Sequence, residues 1–216
     1  MTLRPVALAV ALALSTGSAG AQPLDIAPEP YRRAALVGDV GRVVGSVRAA
    51  PRRPADPEQP LRGTTVMLLP RSAGFLRRLE DIRSDARAAP AAYRISATAL
   101  RQAREAYELA LWEAGYPDLA RATSVDAMGA FSLDDVPAGP WVLLASRPVF
   151  VDKPSPREPS RQLQAFSRDA RMVGYYAVSV WVVQLTVERG RTETVELTDR
   201  GVWFTGIEEE HVRPPG

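Results

Sequence analysis

The chain is poor in the residues that usually carry chemistry. Its one histidine, His211, lies beside Val212-Arg-Pro-Pro-Gly216 at the C-terminus, a poor place to hold a general base in a fixed orientation. With a single histidine and no cysteine, a histidine- or thiolate-rich zinc site cannot be built within one chain. His-Glu-x-x-His, Gly-x-Ser-x-Gly and a phosphate-cradling glycine loop are all absent. That leaves carboxylates. Asp134 and Asp135 are adjacent, so an extended strand sends them to opposite faces, the wrong geometry for two groups that must flank one bond. Both read better as turn formers. Asp126, three residues before Gly129, fits a side chain that hydrogen-bonds its own turn, and no dense run of oxygen ligands surrounds it as a calcium site requires. Glu208-Glu209-Glu210 reads as a solvated charge run. The residues thus assign no catalytic group, metal or cofactor. They point to recognition.

Two segments supply candidates for it. In residues 72–115 the aromatic side chains Tyr93, Tyr107 and Trp112 stand on a helical pattern, where they suit a partner surface. Residues 148–175 carry four prolines with Arg157, Arg161, Arg168 and Arg171, then Tyr175. So long a connection is uncommon in a compact domain unless it binds something or is disordered.

These segments interrupt an alternating β pattern centred on Asp126-Ala-Met-Gly129-Ala-Phe131-Ser-Leu133-Asp134-Asp135-Val136-Pro137-Ala-Gly139-Pro140-Trp141. Ala130, Ser132 and Asp134 fall on one face of the strand, Phe131 and Leu133 on the other. Gly129 and Gly139 mark reversals that call for a positive φ. Upstream, Gly41-Arg-Val-Val-Gly45-Ser-Val47 and Pro60-Leu-x-Gly63-Thr-x-Val66-x-Leu68 read as opening strands, the first over Arg42–Arg48 and the second over Thr64–Leu69. Taken together, these motifs resemble the carboxypeptidase regulatory-like domain over roughly residues 41–70 and 121–200. The resemblance implies a transthyretin-like β-sandwich of the kind found in adhesion, envelope and accessory modules, with no catalytic residue to carry over. It supplies no reading for residues 71–120 or 148–175.

Within residues 72–115, Phe75, Leu76, Leu79, Ile82 and Ala86 recur at helical spacing behind a Ser72 cap. After Pro90 a second run holds Tyr93, Ala97, Leu100, Tyr107, Leu111 and Ala114, until Gly115 and Pro117 stop it. The short connection predicts an antiparallel helical hairpin that packs on the sandwich or presents a partner surface. The expected architecture is all-β: about seven antiparallel strands in a sandwich, with that hairpin inserted. Around Arg189-Gly190, a three-residue loop Glu188–Gly190 with Gly190 left-handed predicts a β-hairpin pairing Val183 with Val195 and Trp181 with Leu197. Strand parity predicts that the helical insertion and the arginine-rich loop leave opposite ends of the sandwich. That separation suits a connector between two partners.

Residues 1–21 combine Arg4, an apolar run from Val6 to Leu14 and Ala19-x-Ala21, which predicts a cleaved secretory signal peptide rather than a bilayer span. Residues 22–40, with Pro23, Pro28 and Pro30, read as an extended leader, residues 41–207 as the domain, and 208–216 as a flexible tail. The chain has no cysteine for a disulfide or a lipid anchor, and after signal cleavage no transmembrane segment remains. The formal charge is +2, one less without Arg4, and does not point to nucleic acid. The function classes left are an exported, periplasmic or extracellular module binding an envelope protein or polysaccharide, a purely structural accessory domain, or a carboxylate-dependent hydrolase.

Overall fold

The computed structural model describes residues 24–53, 57–152 and 171–212. The signal segment, Arg157, Arg161, Arg168 and most of the 148–175 connection lie outside the described residues. Those described fold as two β-sheets packed face to face, with a helical hairpin on the outside of the larger sheet.

Nine strands occur among the described residues: β1 Val40–Ala49, β2 Gln59–Pro60, β3 Thr65–Pro70, β4 Arg121–Ser124, β5 Ala130–Pro137, β6 Gly139–Asp152, β7 Arg171–Val187, β8 Thr192–Thr198 and β9 Phe204–Val212. The two beyond the expected seven are the two-residue β2 and β9, which occupies the place expected for a flexible tail. The larger sheet runs β4-β3-β6-β7-β9, and the smaller has β2 and β5 along one edge of β1 and β8 along the other. All pairings are antiparallel except β1 with β8.

That parallel pairing overturns the predicted hairpin. Trp181 and Val183 of β7 lie opposite Ala145 and Leu143 of β6, while Val195 and Leu197 of β8 lie opposite Gly45 and Val47 of β1. At Glu188–Arg191 the chain crosses from one sheet to the other. Gly190 is left-handed as expected, at φ +65°, but its N–H donates to the Val40 carbonyl at the start of β1. The apolar alternation of β7 and β8 faces a common core from opposite layers, so the same pattern serves a crossover as well as a ladder.

Across that core Trp141, Leu143 and Trp181 of the larger sheet meet Val43, Val47, Phe131, Leu133 and Leu197 of the smaller, all of them buried; Val183 is half-buried against them. The Trp181 indole N–H donates across the gap to the Thr198 carbonyl at 2.7 Å. Gly45's own neighbours in the smaller sheet leave it no room for a side chain: an added Cβ would sit 2.2 Å from the Val195 carbonyl oxygen of β8 and against the Phe131 ring of β5.

Helices α2 (Ala73–Ala88) and α3 (Pro90–Glu113) form the expected hairpin. Ser72 is extended, and its Oγ accepts the Phe75 N–H at 2.8 Å, the N-cap geometry. The hairpin lies across the outer face of the larger sheet. Tyr93 meets Phe204 edge to face at 6.4 Å, Arg101 bonds Glu208 of β9, and the guanidinium of Arg83 lies 4.6 Å from the Trp203 ring centre.

The leader is not extended throughout, because Glu29–Leu36 forms a short helix, α1, with a proline in its first turn. Its Tyr31 plugs the end of the sandwich, set edge-on to Trp141 at 5.0 Å with its hydroxyl donating to the Pro140 carbonyl. Gly139, at φ +149°, leaves the space that this ring occupies. Just ahead, the Asp25 carboxylate takes the Ser72 hydroxyl and the Gly74 N–H, tying the leader to the start of α2. Partial burial works against that charge, but Ser72, Gly74 and nearby Arg77 outweigh it and hold the Asp25 pKa below the usual carboxylate range.

Candidate functional site

Of the aromatic residues proposed as a partner surface, only Trp112 is free to serve, at 65% exposed on α3. Tyr107 is buried: its ring stacks on Phe75 at 4.8 Å and its hydroxyl donates to the Pro70 carbonyl. Tyr93 is half-buried against Phe204. The reason is geometric, since a helix lying on a sheet turns its apolar stripe, rings included, toward that sheet. Tyr175 is half-buried in β7 opposite Val151 and Glu209, in strand rather than loop.

The insertions do leave the larger sheet at opposite ends. The hairpin departs after Pro70, which pairs with Trp141 at the start of β6, whereas β6 and β7 part beyond Asp152 and Gly174 at its other end. The hairpin then crosses the sheet, bringing Arg101 to Glu208, so its aromatic stripe is spent on the sheet and does not form an end surface.

A surface feature with a ligand-sized shape lies elsewhere, on the outer face of the smaller sheet. There a broad concavity of about 550 Å³ is floored by β1, β5 and β8, with Ser124 and Asp126 on its rim. Strand register fixes its side chains in rows. Val44 has Ser132 on one side and Thr194 on the other; one step along, Ser46 has Ala130 and Glu196. The rows are about 7 Å apart along the strands and each strand about 4.8 Å from the next. Thr194 and Glu196 are exposed, while Val44, Ser46, Ala130 and Ser132 are half-buried.

A β-bulge shapes the end of this face. Asp134 and Asp135 together stand opposite Arg42, and Asp135 takes a left-handed φ of +52°. Without that extra residue one aspartate would point into the core; with it both stay outside and Val136 takes the buried position. Asp134 thereby reaches Arg42, its carboxylate 2.6 Å from Nε, and Arg42 also donates to the Ser132 hydroxyl. At the rim, Asp126 Oδ1 accepts both the Met128 and Ala130 N–H groups at 2.8 Å. Two of the acidic groups therefore have fixed structural partners.

None of Arg42, Val44, Ser46, Thr194 and Glu196 was a sequence candidate. Their outward phase is readable from alternation, but nothing local says that β8 lies beside β1. Glu208 of the charge run is paired with Arg101 on β9 instead of being free in a tail. Among the described residues, no group of three or more histidines and carboxylates could hold a metal ion, and no helix is long and apolar enough to cross a membrane.

No family model and no curated protein matches the sequence, so the carboxypeptidase regulatory-like resemblance rests on the motifs alone. The solved structures similar to the chain include two from bacteria. One is a candidate carbohydrate binding protein from Pseudomonas aeruginosa, with 13% identity and a TM-score of 0.38 over 81% of this chain and 99% of that one. The other is the minor pilin of Streptococcus agalactiae, with 11% identity and a TM-score of 0.30 over 82% of this chain and 47% of that one.

Proposed function

We propose that this chain is a non-catalytic, exported binding module of the cell envelope, holding a protein or polysaccharide partner on the outer face of its smaller sheet. The observation that carries the reading is the concavity itself: about 550 Å³, open, lined by apolar and polar side chains together, and built on paired strands that fix those side chains in place. A hydrolase of the paired-carboxylate kind needs two acids free to face one bond. Here Asp126 serves its turn and Asp134 serves Arg42, which leaves Glu196 without an acidic partner of that kind. The sequence of residues 1–21 supports export.

The test compares the wild-type chain with Val44→Arg in retention of material from envelope extracts, alongside the melting temperature of each. Retention lost in the variant with melting unchanged supports the reading. Equal retention by both proteins, or turnover of an envelope polymer by the wild type, overturns it.

A further inference from the structure

We infer that the occupant of the small-sheet face is a neutral glycan chain; this deepens the proposed function and rests on it. The first ground is what the face lacks. β1 runs through its middle with one edge paired to β5 and the other to β8, so the β1 backbone N–H and C=O groups beneath the centre of the concavity are already bonded, and open ladder groups lie only along the outer edges of β5 and β8. A peptide gains much of its affinity for a sheet from main-chain hydrogen bonds, and those are open only at a sheet edge. On this face recognition falls to side chains.

The second ground is which side chains these are. Val44 and Ala130 form a small apolar floor, and hydroxyls stand around it on Ser46 and Thr194, with that of Ser132 already held between Arg42 and Asp134. A pyranose ring presents the matching pattern, a flat C–H face with hydroxyls at its edge. Shallow apolar contact would seat the ring, and hydroxyl and carboxylate partners would set its orientation.

The third ground is charge. Asp126 and Glu196 line the concavity with one cation, Arg42, whose charge Asp134 already answers at 2.6 Å. The balance around the site is acidic. A uronate-bearing or phosphorylated polymer would approach against it, whereas a neutral chain would not.

The experiment titrates the isotope-labelled full chain with cello- and manno-oligosaccharides and, separately, with polygalacturonate, following backbone amide signals. The expected result is that a neutral oligosaccharide moves the signals of β1, β5 and β8 and polygalacturonate does not. Thr194→Val keeps the shape and the β-branched side chain but removes one hydroxyl, and should weaken binding about fivefold, the equivalent of one net hydrogen bond. Tighter binding of polygalacturonate, shifts that map to another surface, or affinity unchanged in Thr194→Val and Val44→Arg would each overturn the inference. If no oligosaccharide binds while Val44→Arg still loses an envelope protein, the glycan inference fails and the binding-module reading stands.

Discussion

Replacing Trp181 by alanine probes the joint between the two sheets. The ring is 2% exposed and bonded across the core. An indole buries on the order of 200 Å², which at about 25 cal/mol per Å² is about 5 kcal/mol against a fully solvated reference. Partial relaxation around the cavity brings the expected loss to about 3–5 kcal/mol. A domain stable by about 5–15 kcal/mol would survive it only in part. The hydrogen bond is separated by Trp181→Phe, which keeps most of the apolar contact but leaves the Thr198 carbonyl without its donor, an expected loss of about 2 kcal/mol. Urea unfolding provides the measurement: both midpoints should fall, alanine further, with the slope unchanged. A loss below about 1 kcal/mol for alanine, or equal losses for both variants, would refute the account of Trp181 as a cross-sheet tie.

Gly45→Ala should destabilise by about 1–3 kcal/mol or more through overpacking, read as a fall in melting temperature, because the new Cβ meets backbone and a buried ring on a strand that cannot retreat. Trp112→Ala should change stability by less than about 0.5 kcal/mol in the same melt, as expected of an exposed ring. Ser72→Ala should cost about 1 kcal/mol in urea unfolding, since it removes both the α2 cap and a donor to Asp25. With its folded pKa depressed, Asp25 contributes stability that is present above its unfolded value near 3.9 and lost as pH falls through the lower folded one. The wild-type advantage over Asp25→Asn should therefore be full near neutrality and vanish in strong acid.

What the sequence made legible was local. Ser72 announced its helix, Gly129 and Gly190 announced positive φ, and the phase of Phe131 and Leu133 announced the core side of β5. What escaped depended on partners far along the chain. Pro28–Leu36 offers only Tyr31 and Ala34 as buried residues, too few to show a period, and Tyr31 matters because Trp141 is waiting for it. Glu208-Glu209-Glu210 looked like a tail because charge alone was visible; β7 on one side and Arg101 above make that stretch a strand. The concavity was hidden for the same reason, since its rows exist only once β5, β1 and β8 lie side by side.

The parallel pairing of β1 with β8 also sets an order of events in time. Val43 lies opposite Glu193, about 150 residues later, so the small sheet cannot close until almost the whole described chain has emerged. Until then β1 holds a strand-forming segment with one edge unpaired, even if β5 has already docked on the other. Such distant closure slows folding and prolongs the interval in which a bare edge can recruit a neighbouring chain. For this molecule the vulnerable moment comes late in synthesis, and the segment to shield then is Arg42–Arg48.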